Sequence, residues 1–288
     1  MEQKYLDLLK SKVGEDVVVE HALLGGMMNE AYVVSSKKGR FVYYISTAQA
    51  NEMVDRNLEK ETQNIAFSLG ITSENIYFDL KNGIKINRYI EGDSINHMDD
   101  FDYKKIAKLF ATLHSSKKKA SVYYDPLGRL VNYKKEAESF VKRFDEDFYD
   151  LYKLIEDNKD FLLSQPRVLA HNDGQRSNII RDLDGNYFLI DYEFAANNDP
   201  LYDIATFGNQ DVYEGKKLLE EYVKLDPCKD ALKRYALWRI DISLQWYLVA
   251  NIKHYRGEGK IHGINFLDVA AHFLANARSA YSLLKENK

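Results

Sequence analysis

Apolar and polar positions first fall into order after a short helical segment at the N-terminus. Residues 17–47 then carry two runs rich in β-branched and aromatic side chains, joined through Lys37, Lys38 and Gly39, which signals a hairpin. From about Glu52 to Leu69 the period becomes helical and stops at Gly70, a normal helix terminator. The stretch NIYFDLKNGIKINRYIEG predicts two more strands around Asn82-Gly83, a tight-turn dipeptide. The order strand, strand, helix, strand, strand predicts a small α+β lobe spanning 1–91 and ending near Glu91-Gly92. Beyond it, 92–288 shifts toward helices. DYKKIAKLFATLHSS is amphipathic, and 132–164 reads as a long helical region with room for one break. Short strands are expected at RVLAH, NII and YFLID, the last two joined by Asp184-Gly185, and two long helical patterns close the chain at 228–255 and 264–286. Neither repeats nor a linker separate the two parts, so the pattern predicts an α+β chain whose halves share a cleft rather than independent domains.

Composition narrows the class. At 288 residues and 45% hydrophobic content the chain is long enough for a real core. A net charge of −4 provides no basic field for a nucleic-acid backbone, so nucleic acid is not an expected partner. Cys228 is the only cysteine, which excludes an internal disulfide and a cysteine-based zinc site and suits a reducing cytosol. The N-terminus has no apolar signal-peptide core and no run of about 20 apolar residues follows, so the expected location is cytoplasmic, away from the membrane.

The chemistry concentrates between Val168 and Phe194, in VLAHNDGQRSNIIRDLDGNYFLIDYEF. Phosphoryl transfer asks for a carboxylate to orient the attacking hydroxyl and for oxygen ligands to a magnesium ion that bridges the phosphates. Asp173 fits the first task, Asn178 and Asp191 the second, since Mg²⁺ favours hard oxygen ligands and takes few of them from protein. On these residues alone an equally open reading makes Asp173 and Asn178 loop caps and Asp191 a strand end. Gly25-Gly26, between two strands, could bring backbone N–H groups close to a phosphate or could simply turn a hairpin.

The order of these features resembles one family. A Gly-Gly hairpin, a helix containing Arg56 and Glu59, the segment NRYIEG, then HND-x4-N and IDYEF follow one another as in the choline kinase family, within the protein-kinase-like small-molecule phosphotransferases that include aminoglycoside phosphotransferases. LGGMMNEAYVV, HNDGQRSNI and LIDYEFAANNDPLYDIA are most similar to its bacterial, LicA-type branch, and the similarity in motif order runs from about Leu23 to Phe207. The resemblance implies a bilobal protein-kinase-like fold, with a β-rich, nucleotide-binding N-lobe and a mainly helical, acceptor-binding C-lobe. It implies ATP and Mg²⁺ as cofactors, Asp173 as catalytic base and Asn178 and Asp191 as metal ligands. Gly25, Gly26 and Asn29 would cover the phosphates with Gln175 nearby, Glu59 would be the helix glutamate, and the backbone at Tyr89 and Ile90 would hold adenine. Asp203 would anchor the catalytic loop.

Two departures mark the chain. The family carries Arg or Lys on the strand after the glycine loop, paired with the helix glutamate, and here Tyr44 takes that place opposite Glu59. A phenol cannot replace a guanidinium over triphosphate charge. The acceptor side departs as well. A quaternary ammonium calls for aromatic faces, yet the family's W-x-x-W pair is reduced to Trp246, with Ser243 in the other position, and Gln210 stands where an acid is expected. Glu193, Tyr213 and Tyr255 complete the candidate acceptor set. The expected function is an ATP- and Mg²⁺-dependent kinase for the hydroxyl of choline or a related amino-alcohol. The alternatives are a kinase of the same fold for ethanolamine, thiamine or an aminoglycoside, and a degenerate, non-catalytic binding protein.

Overall fold

The computed structural model describes residues 2–23 and 29–286. The chain forms two compact units, one built of Met1–Phe101, Ala120–Val122 and Ser177–Ala196, the other of Asp102–Lys119, Tyr123–Arg176 and Asn197–Lys288. The segment carrying Asn178 and Asp191, which the sequence groups with the C-terminal half, thus belongs with the sheet-bearing unit.

The first unit opens with α1 (Gln3–Val13), followed by β1 (Val18–Leu23), β2 (Asn29–Ser36) and β3 (Gly39–Ser46). Then come α2 (Ala48–Met53), α3 (Arg56–Ser68), β4 (Asn75–Asp79), β5 (Ile84–Arg88) and β6 (Gly92–Ser94). The five longer strands form one antiparallel sheet in the order β1-β2-β3-β5-β4. Strand alternation divides it cleanly: Phe41, Tyr43 and Ile45 of β3 and Ile84 and Ile86 of β5 pack in one cluster with Leu9 and Val13 of α1. Val42, Tyr44, Lys85 and Asn87 therefore point to the opposite face, where α3 contributes Glu59.

Several local expectations change. The expected order has two strands ahead of the helix and the structure has three; every residue of β1, the strand before Gly25-Gly26, is exposed, so as an edge strand it has no apolar alternation to read. The helix expected over 52–69 is two helices, because Asp55 caps α3 by accepting from the N–H groups of Asn57 and Leu58. The turn at Asn82-Gly83 is longer than a two-residue hairpin. Asp79 accepts from the backbone of Lys81 and Asn82 at 2.9 and 3.2 Å, and Gly83 closes the loop at φ 65°.

The second unit is mainly helical: α4 (Tyr103–His114), α5 (Pro126–Ala137), α6 (Glu146–Asp157), α7 (Lys159–Leu163), β7 (Val168–Ala170). β8 (Ile179–Asp182) and β9 (Tyr187–Leu189) return to the first unit, where they form a small sheet with β6. β10 (Ala196–Asn198) pairs with β7, and α8 (Leu201–Phe207), α9 (Val212–Leu225), α10 (Ala231–Tyr255), α11 (Glu258–His262) and α12 (Phe266–Glu286) follow. The single helical region expected over 132–164 is broken twice. α10 is buried around most of its circumference, as a central helix must be. Among the described residues no helix is long and apolar enough to cross a membrane.

Candidate active site

In the second unit the loop after β7 carries Asp173 and is held by one carboxylate. Asp203, fully buried in α8, accepts from the backbone N–H of His171 at 2.8 Å and of Asn172 at 2.6 Å, while His114 Nε2 bonds its Oδ2 at 2.9 Å. Asn172 adopts φ 64°, a left-handed conformation that asparagine tolerates better than most residues, and its side chain accepts from Asn198 at 2.8 Å. Gly174 is required: a Cβ there would lie 2.8 Å from the Phe110 ring and 3.1 Å from the Asp203 carbonyl. Asp173 is half-buried, and Gln175 donates to its Oδ2 at 3.2 Å. Asp199, from the NDP turn, accepts from Arg234 and from Trp238 Nε1 at 2.8 Å, so that turn is a buried anchor for α10.

In the first unit Asn178 is buried and Asp191 half-buried; the Ile190 N–H donates to the Asn178 carbonyl at 2.9 Å, which ties the two segments together. Asp191 sits at φ 66°, a second left-handed residue in the candidate set. Glu59 is buried in α3 and clamped from two sides: Arg56 Nη1 donates to its Oε2 at 2.6 Å, and Lys85 Nζ donates to its Oε1. Lys85 Nζ also lies 3.3 Å from Asp191 Oδ1. The cation absent from position 44 is therefore present on the neighbouring strand, because Tyr44 and Lys85 are directly paired across β3 and β5. Burial opposes the Lys85 charge, but the Glu59 and Asp191 carboxylates outweigh it and hold the ammonium above its ordinary pKa. Burial also pushes the Tyr44 phenol up to about 12, leaving it neutral.

A carboxylate and an amide oxygen are hard donors suited to Mg²⁺, and the backbone bond between Ile190 and Asn178 fixes their segments within one unit. Asn29 accepts from Ser46 Oγ at 2.7 Å at the start of β2, whereas Gly25 and Gly26 lie outside the described residues. At the segment after β5, the Tyr89 N–H donates to the Arg40 carbonyl at 3.0 Å and the Arg40 guanidinium covers the Tyr89 ring at 4.3 Å; Ile90 is half-buried beside it. Glu193 is half-buried.

The acceptor candidates on the helices are dispersed. Gln210 and Tyr213 are exposed, Tyr255 is exposed near the end of α10, and Trp246 stacks on Phe273 of α12 with ring centroids 5.5 Å apart. Trp246 and Tyr255 are nine residues apart on one helix, about 13 Å along its axis and on opposite faces, so they are not two walls of one small box. Ser243 is fully buried and accepts from Arg239. A different aromatic group gathers in the unit that holds Asp173. The Arg129 guanidinium lies 5.4 Å from the Tyr124 ring and 5.5 Å from the Tyr133 ring and donates to Tyr133 Oη at 2.9 Å, and Tyr202 meets Tyr124 edge to face at 5.5 Å. The Asp173 charge acts on both Arg129 and Tyr124. Fully buried Asp241 accepts from Gln245 at 2.7 Å, and burial raises its carboxyl to about 8. Sequence reading missed Lys85 and this cluster; the signal for Lys85 was a lone cation between Ile84 and Ile86 in a strand.

Known proteins are similar to this chain over most of its length. A family model for choline/ethanolamine kinase matches residues 20–226. The protein LicA of Haemophilus influenzae is 26% identical over 283 residues, covering 91% of this chain and 79% of that one. The crystal structure of choline kinase LicA from Streptococcus pneumoniae superposes with a TM-score of 0.74 at 23% identity, covering 99% of this chain and 100% of that one. A crystal structure of LicA in complex with AMP gives 0.73 at 24% identity, over 96% and 99% of the two chains. These superpositions show the protein-kinase-like fold, and with the family match over well more than half of the residues the chain belongs to the choline/ethanolamine kinases, as a small-molecule phosphotransferase.

Proposed function

We propose that the protein transfers the γ-phosphoryl group of ATP, with Mg²⁺, to the hydroxyl of choline or a related amino-alcohol. The observation that carries this reading is the Asp173 loop, locked through two backbone hydrogen bonds to one buried carboxylate that His114 also holds, in a chain of this family. Asp173 orients the acceptor hydroxyl and takes its proton as the new O–P bond forms and the bond to the ADP oxygen breaks. Gln175 fixes the carboxylate that does this. Asn178 and Asp191 would hold the magnesium, which neutralises charge on the phosphates when bound. The AMP-bound LicA relative supports an adenine nucleotide, which the segment at Tyr89 and Ile90 would receive. The Tyr89 N–H is engaged with the Arg40 carbonyl, so other backbone groups of that segment would meet the adenine. The reaction belongs in the cytoplasm, where ATP is available.

For the acceptor, Tyr124, Tyr133 and Tyr202 provide aromatic faces in the unit that holds Asp173, whose charge acts on Tyr124, and the Arg129 guanidinium lying over two of them supports a cation-binding role. The alternative acceptors, ethanolamine, thiamine and aminoglycosides, are cationic like choline, so Arg129 opposes all of them and the choice rests on which one is phosphorylated. Incubation with MgATP and each of these compounds, followed by mass analysis, distinguishes them. Phosphorylated choline or ethanolamine is expected; a product from thiamine or an aminoglycoside alone would reassign the acceptor.

A further inference from the structure

We propose that Lys85 is the residue that holds the nucleotide phosphates, delivered from β5, with Tyr44 of β3 serving as the surface that steers it. This inference rests on the nucleotide part of the reading above. Tyr44 and Lys85 are cross-strand partners, so their side chains share one sheet face, the face that looks toward α3. Neighbouring strands are about 4.8 Å apart. A lysine on β5 reaches the ground in front of β3 by leaning across one strand spacing, and Nζ does so, resting 4.8 Å from the centre of the Tyr44 ring. The ring stabilises a cation on its face, whereas a lysine or arginine at 44 would place a second positive charge there.

The partners of Lys85 distinguish it from an ordinary buried pair. Glu59 already has one oxygen satisfied by Arg56, which is itself held by Ser46 at 2.7 Å and Asn51 at 3.1 Å. Glu59 is thus a rigid, charge-compensated stop, and Lys85 is added to it on the side of Asp191. Burying an ammonium to 2% exposure is expensive, and a second cation is not needed for Glu59 alone. Its contact with Asp191, the residue assigned to the metal, gives the charge a use: Nζ is fixed beside the ground where phosphate oxygens would be held.

The full chain is titrated with MgATP, MgADP and adenosine, comparing wild type, Lys85→Met and the exchanged pair Tyr44→Lys/Lys85→Met. Lys85→Met is expected to lose about 10- to 100-fold in affinity for MgATP and MgADP while adenosine binding stays within about twofold. The exchanged pair is expected to recover most of that loss. Unchanged MgATP affinity in Lys85→Met, or equal losses for adenosine and MgATP, would overturn the proposal, since a structural lysine would not act through the phosphates alone. Should Lys85→Met fail to fold, the exchanged pair decides: a folded protein that binds MgATP upholds the proposal, and a folded one that binds only adenosine overturns it. Wild type without MgATP affinity would instead defeat the kinase reading itself, and this inference with it.

Discussion

Arg129 and Asp241 show how single side chains would set the character of the proposed acceptor region. Arg129 rests its guanidinium on Tyr124 and Tyr133, in the position that an ammonium ligand would take if those rings form its cage. Replacing it by methionine removes the internal competitor and a repelling charge. Arg129→Met is accordingly expected to lower KM for choline about tenfold with kcat changed far less, in steady-state kinetics at varied choline; an unchanged or raised KM would contradict that role. Asp241 contributes a pH effect. Burial dominates its shift, raising it to about 8 against the lowering effects of Gln245, Arg239 and Arg129, with Asp125 acting in the same direction as burial. The unfolded chain releases this proton near pH 4, while the folded chain keeps it to about pH 8. Its stabilising contribution is thus complete below the ordinary carboxylate pKa and is lost as pH rises through about 8. Urea unfolding between pH 5 and 8 should show wild type losing stability relative to Asp241→Asn by up to about 1.4 kcal/mol per pH unit; parallel pH profiles would contradict the shift. Neither residue was legible in the sequence: Tyr124 and Gln245 lie within five residues of them, but Tyr202, on which both charges act, comes from a distant segment. Asp173, Asn178 and Asp191, by contrast, stand out as candidates in the sequence because they fall within one short segment.

Elements position these groups. β3 and β5 were both readable from alternation, yet the register that sets Tyr44 against Lys85 joins residues 41 positions apart and is fixed only when the sheet assembles. Searching one strand for a cation therefore found none. The edge strand β1 carries no alternation for a related reason, because no buried face imprints a period on it. The loop after β7 depends on α8 and α4 through Asp203, which receives two backbone N–H groups and His114. In Asp203→Asn one amide nitrogen would face a donor with no room for water. A loss of about 3 kcal/mol of stability is expected by chemical denaturation, together with a fall in turnover as the loop loosens. Wild-type stability in that variant would show that the loop does not depend on the carboxylate.

At the scale of the whole molecule, motif order was the most legible property. It pointed to the family because order survives where individual residues change, and the match over residues 20–226 agrees with it. The division into units was less legible: the strands that carry Asn178 and Asp191 join the first unit although they follow the helices of the second in sequence. The non-catalytic alternative was motivated by Tyr44, and that motive disappears once Lys85 is seen on Glu59 and Asp191. The most direct test of the kinase account is ADP release by the purified chain with MgATP and saturating choline, measured beside Asp173→Ala. Choline-dependent release that falls by about 100-fold or more in Asp173→Ala is the predicted result. Release that ignores choline, or that survives in Asp173→Ala, would contradict it.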